Sequence, residues 1–154
     1  MAHPSHHIDD TAALHALASP VRQEVVDTVN ALGVCSIRDI AAALGCPADG
    51  LYYHVRALVD AGLLVSAGTR PTRRRAEELV STPTRGIMRI RYRPGDRAHV
   101  AAMRRIVASM VRVAERDFVA GFDPRLARCD GPERNLLACR QKAWLTRAQR
   151  REVT

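Results

Sequence analysis

Apolar residues recur at three- and four-residue intervals along most of this 154-residue chain, and that period predicts helices. Leu14 and Leu17 face inward on a first helix ending near Ala18, with Asp9, Asp10 and Thr11 available as N-caps. Ser19-Pro20 opens a second helix, with Val21, Val25, Val26, Val29 and Leu32 on its buried side and Gly33 as its stop. Ser36 caps a third, carried by Ile37, Ile40, Ala41 and Leu44 and ended by Gly45. Pro47 suits the first turn of a fourth helix over 47–61, in which Leu51, Val55, Leu58 and Gly62 share one face. Asp49, Tyr53, Arg56 and Asp60 then point away from the core, with Tyr52 and His54 on the flanks. Strands are expected at 63–66 and 75–82. Over 84–94, Ile87, Arg89, Arg91 and Arg93 alternate with Met88, Ile90 and Tyr92, the pattern of an extended segment.

The remainder reads as helical. Asp96 is the N-cap of a long helix to about residue 120, whose stripe is Val100, Met103, Ile106 or Val107, Met110, Val111, Ala114 and Phe118. Arginines 104, 105, 112 and 116 lie on its other side. A loop over 121–132 and a last helix from 133 to about 152 follow, the latter with Leu136, Leu137, Trp144, Leu145 and Ala148 for packing. A long helix beyond a compact domain must bury its stripe, and a symmetric copy of itself is the simplest partner. Val100, Met103, Val107, Met110, Val111 and Phe118 are therefore the expected dimerisation residues. The fold class expected is mainly α with a small β-hairpin wing: a flexible leader over 1–10, a winged helix-turn-helix domain over 11–83, and C-terminal dimerisation helices over 84–154, with room for an effector.

Charge identifies the class of partner. The chain carries 24 Lys and Arg against 16 Asp and Glu, a net charge of +8. Residues 1–66 contain 3 arginines and 7 acids, a balance of −4, whereas residues 67–154 contain 21 basic residues and 9 acids, a balance of +12. An Arg-rich composition explains why only one of the 24 basic residues is Lys, but not why they cluster. Such clustering favours a polyanion, whose condensed counterions are released on binding. In the hairpin loop, Arg70, Arg73, Arg74 and Arg75, with Thr72 among them, would lie on a DNA backbone or in its minor groove. Asp49, Gly50, Tyr52, Tyr53, His54 and Arg56 would approach base edges and nearby phosphates in the major groove. Both tyrosines have a competing reading as core aromatics with exposed hydroxyls.

The run GLYYHVRALVDAGLLV, preceded by SIRDIAAALG, resembles the recognition helix and first wing strand of the arsenical-resistance-repressor (ArsR) family. The resemblance rests on His54, Val55, Leu58, Ala61, Gly62 and Leu63 and extends over roughly 14–82, where Arg74, Arg75 and Glu77 loosely match the approach to the second wing strand. It implies a homodimeric winged helix-turn-helix transcription regulator, most often a repressor, acting on double-stranded DNA. It also implies that the first two helices serve as scaffold and part of the dimer contact, with Arg22 at a position that is structural at least as often as functional.

Metal chemistry typical of that family has no counterpart here. SIRDIAAALG has no Cys-x-Cys, His99 stands alone on its helix, and Cys35, Cys46, Cys129 and Cys139 form no C-x-x-C pair. No metal site and no cofactor are therefore expected. His3, His6 and His7 would hold a transition metal only weakly, and a mobile tail is the preferred reading. Cys35 and Cys46 read as small hydrophobes. Cys129 and Cys139, flanked by Arg128 and Arg140, leave open a thiol switch. No G-x-S-x-G, P-loop or G-x-G-x-x-G is present, so an enzyme is not expected. The start MAHPSHHIDD lacks the form of a signal peptide and no stretch is apolar enough to span a membrane, so the cytoplasm is the expected location and the thiols are expected to be reduced. Two further functions stay open: a redox or metal sensor of the same fold, and a winged-helix module for protein or RNA.

Overall fold

The computed structural model describes residues 6–73, 75–84, 88–139 and 142–153. They divide into two compact units, Met1–Val113 and Ala114–Thr154. The first unit contains β1 (His6–Ile8), α1 (Thr11–Leu17), α2 (Pro20–Leu32), β2 (Cys35–Ser36) and α3 (Ile37–Leu44). A 3-10 turn (Ala48–Gly50), α4 (Tyr52–Asp60), β3 (Val65–Arg70), β4 (Glu77–Ser81) and β5 (Met88–Ile90) follow, and α5 (Arg97–Ala120) runs on from this unit.

Helix ends follow local chemistry. Ser36 and Asp39 form a capping box: the Asp39 N–H donates to Ser36 Oγ at 3.3 Å, and the Ser36 N–H donates to Asp39 Oδ2 at 2.9 Å. Gly45 ends α3 at φ 64°, a left-handed conformation that a side chain resists. Pro20 takes the first position of α2 after Ser19, although the Ser19 side chain makes no capping bond. Leu14, Val25, Val29, Ile40, Leu58, Leu63 and Leu64 are at most 1% exposed and form the centre of the core. Val21 and Leu32, expected on the buried side of α2, are instead 37% and 49% exposed. The buried stripe is narrower than the apolar stripe, because Val25, Val26 and Val29 already fill the contact with the neighbouring helices.

The small antiparallel sheet has the order β2-β4-β3. Its first member, β2, pairs Cys35 with Val80 and Ser36 with Leu79 and is too short for a sequence pattern to reveal. The first wing strand is displaced from its expected position, because Leu63 and Leu64 are core residues ahead of β3, whereas β4 lies within the expected range and is shorter, beginning at Glu77. Arg70 therefore closes β3 opposite Glu77 and is not part of the loop. Gly68, at φ 95°, occupies the irregularity between Ser66 and Thr69.

Residues 6–8 are not a loose leader. They form β1, parallel to β5, and Ile8 is buried beneath the pairing. The Arg91 N–H donates to the Ile8 carbonyl, the Arg91 guanidinium meets Asp9 at 3.4 Å, and Arg93 donates to the Asp9 carbonyl. The extended segment before α5 thus has its partner in this chain.

The long helix α5 has a buried face and an open apolar one. His99, Ala102, Ile106 and Ser109 are buried, and Ala102 and Ile106 join the core. Gln23 Nε2 donates to the carbonyls of Leu17 (2.5 Å) and Ile106 (3.2 Å), tying α2 to α5. Asp96 caps α5 by accepting from the His99 N–H at 3.0 Å, which holds its carboxyl below the usual range. The second face is the stripe singled out from sequence, which stays largely open: Val100, Val107, Met110, Val111 and Phe118 are exposed and Met103 is half-buried.

In the second unit the helix expected from 133 to about 152 is mostly absent. Among the described residues after 132 only α6 (Arg147–Val153) is helical, and the described part of 133–146 is irregular. Leu137, Trp144 and Leu145 are exposed, so the apolar face that would have stabilised a longer helix is unburied. Turns over 121–133 agree with the expected loop.

Candidate nucleic-acid interface

The outer face of the α3–α4 pair is set by what the inner face buries. Leu51, Val55 and Leu58 are 4%, 4% and 0% exposed, and this anchoring turns Tyr52 and Tyr53 outward at 53% and 70% exposure. Neither tyrosine is a core residue. Arg56 is exposed beside them and His54 is half-buried. Asp49 and Gly50, expected on the first turn of this helix, lie on the separate 3-10 turn, because Pro47 is extended (φ −64°, ψ 138°) and does not start an α-helix. Both remain exposed ahead of the helix. The Tyr53 ring is braced from two sides. The Arg22 guanidinium lies 5.8 Å from its centroid, within cation–π range, and the His54 ring meets it edge-on at 5.6 Å. Tyr53 is therefore both solvent-facing and held, which lowers the entropy lost on contact with a ligand.

Beside α4 stands the β3–β4 hairpin. Its base is locked by Arg70, whose Nη2 donates to Glu77 Oε2 at 2.9 Å, Asp39 Oδ2 at 3.0 Å and Ser36 Oγ at 3.2 Å. Arg38 adds a second cation at 3.0 Å from Glu77 Oε1. The N–H of Ser36 first, then the Ser36 hydroxyl and Arg70, hold the Asp39 carboxyl below its ordinary range. Hydrogen bonding from Arg70, with Arg38 nearby, does the same for Glu77. The network joins the cap of α3 to both wing strands. Arg70, assigned by sequence to the DNA-facing loop, has its charge directed at these carboxylates instead. Arg38, Asp39 and Glu77 were not singled out as a group by sequence, although the Ser-x-x-Asp spacing was a usable signal.

The turn beyond the lock is closed by Thr72, whose hydroxyl donates to the Arg75 carbonyl at 2.5 Å and accepts from the Arg75 N–H at 3.3 Å. Arg73 and Arg75 are exposed, and their guanidinium groups meet no carboxylate among the described residues. Arg74 lies outside the described residues. An open cleft lined by Ser36, Arg38, Tyr52, Arg75 and Glu77 runs between the start of α3, the start of α4 and the wing.

Two helices joined by a tight turn, the second with an anchored inner face and a free aromatic and basic outer face, match a family model described as a helix-turn-helix domain over residues 17–67. Residues 17–67 are a helix-turn-helix domain. The match runs from the end of α1 through α4 into β3 and stops ahead of Arg70, the wing turn and β4. No curated protein matches the chain.

Outside the helix-turn-helix domain, candidate chemistry is sparse. Among the described residues no three His, Cys, Asp or Glu side chains gather as a metal cage would require, and no helix is long and apolar enough to cross a membrane. Cys35 is 3% exposed, and burial, followed by the Asp39 charge, pushes its thiol pKa up, so it is a poor nucleophile. Cys46 is half-buried, whereas Cys129 and Cys139 are exposed thiols of the second unit.

Proposed function

We propose that this chain is a homodimeric, sequence-specific DNA-binding transcription regulator, acting as a cytoplasmic repressor of the arsenical-resistance-repressor type and carrying no catalytic activity. The observation that carries the reading is the pairing, in one helix-turn-helix domain, of an outward recognition face (Tyr52, Tyr53, Arg56) with a hairpin turn whose arginines, Arg73 and Arg75, meet no carboxylate among the described residues. In this reading α4 enters the major groove, with the exposed Asp49 and Gly50 at its leading end and His54 supporting Tyr53. Arg73 and Arg75 take phosphates, and Arg70 positions the wing.

Dimerisation is supported by the open stripe of α5, where Val107, Met110 and Val111 are 50%, 56% and 60% exposed. An apolar row of that length on a charged helix is best covered by its own symmetric copy. Mobility-shift titration against random duplexes tests the reading. Binding should weaken steeply with salt and fall with Tyr53→Ala; salt-independent binding, or none, would contradict it. A second reading, thiol control of the same regulator, is favoured by the exposure of Cys129 and Cys139. DNA affinity should then change on oxidation and lose that change in Cys129→Ser.

A further inference from the structure

Residues 92–94 and the first turns of α5 enclose an open groove. Its carbon walls come from Tyr92, Pro94, Val100, Met103 and Val107, of which Tyr92 is 75% and Val107 50% exposed. Arg93, Arg104 and Arg105 complete the lining, and no carboxylate is among the lining residues. Arg93 is partly engaged by the Asp9 carbonyl, whereas Arg104 and Arg105 have no acidic partner among the described residues. His99 also lines the groove. It is 5% exposed, and neither of its ring nitrogens has a hydrogen-bond partner.

A buried imidazole with both nitrogens unmet is costly until a partner arrives, and native cores seldom leave one so. An apolar trough lined by Arg104 and Arg105, neither paired with a carboxylate among the described residues, and containing that imidazole, suits a ligand with an apolar body and one anionic head. We infer that this groove is an effector site for a small amphipathic organic acid. The carboxylate accepts hydrogen bonds from Arg104 or Arg105 and from a ring N–H of His99, and the hydrocarbon lies along Val100, Met103 and Val107. The three apolar residues also belong to the stripe proposed above for pairing. On that reading, a bound acid and the second subunit contend for the same surface, and occupancy loosens the dimer and releases DNA.

The test uses the full chain, without DNA, and four probes: octanoate, 2-naphthoate and the two corresponding alcohols. Calorimetry should give saturable binding of at least one acid, tighter than its alcohol by about tenfold, the loss expected for a charge-assisted hydrogen bond. Arg104→Gln/Arg105→Gln, at exposed positions, should keep the parent's circular dichroism and remove that difference. The His99 ring protons should shift on titration with the acid. Absence of saturable binding, equal affinity for acid and alcohol, or an unaffected double variant would each overturn the site. Sedimentation with and without the tighter acid reads the dimer separately. A chain that binds the acid yet never pairs would contradict the pairing reading and leave the site standing.

Discussion

The division of labour among the wing arginines leads to a quantitative expectation. Arg73 and Arg75 are exposed with no carboxylate beside them among the described residues, whereas Arg70 faces Asp39 and Glu77 at 3.0 and 2.9 Å. Each phosphate neutralised contributes about 0.9 to the slope of log affinity against log salt, and a symmetric dimer presents every residue twice. Arg73→Gln/Arg75→Gln should therefore flatten the slope by about 3.6. Over a fourfold rise in salt, from about 50 to 200 mM, the variant should lose about 150-fold less affinity than the parent loses. Arg70→Gln should behave differently. It removes a charge already matched by carboxylates, so affinity should fall through a loosened wing while the slope stays within about 1 of the parent. Fluorescence anisotropy on one labelled duplex, repeated across the salt series, reads both quantities. If Arg70→Gln flattened the slope as much as the double variant, Arg70 would be a phosphate contact and the lock would be misread.

Three further outcomes are expected. Leu58→Ala, at a position with no exposure, should cost about 2–5 kcal/mol in urea unfolding and reduce DNA binding only through lost fold. Val107→Glu/Met110→Glu should raise the dimer dissociation constant by about a hundredfold or more in sedimentation equilibrium, since each carboxylate would be buried unpaired, with helicity unchanged. Asp39 and Glu77 have carboxyls held below their ordinary range by Ser36 and Arg70, so their contribution is fully present above the unfolded carboxylate pKa. It is lost as pH falls through the lower folded values. Wing amide signals followed by NMR from pH 6 into the acid range should loosen only at the acid end, and earlier in Arg70→Gln.

Locally encoded features were legible in the sequence and long-range ones were not. The Ser36 cap, the Gly45 stop and the inward set Leu51, Val55 and Leu58 depend on neighbours within a few residues, and each stands where the pattern placed it. The pairing of β1 with β5 joins segments far apart in the chain, and a polar leader gives no local sign of it. On α5 the apolar period correctly marked a continuous stripe, but it is the exposed one. The buried face carries His99, Ala102 and Ser109, small or polar residues that a hydrophobic pattern passes over. In the wing, charge alone could not separate Arg70 from Arg73, because what distinguishes them is Glu77 across the ladder and Asp39 on another element. The last helix failed for the opposite reason: Leu137 and Trp144 supply a helical period, but the second unit buries neither.

In the proposed function, two copies of this helix-turn-helix domain read DNA together through Tyr53 and its neighbours. Selection of bound duplexes from a random pool by the full chain tests it most directly. Enrichment of an inverted repeat whose half-site centres lie about one helical turn apart is expected. An unenriched pool, or enrichment of a single asymmetric site, would contradict it.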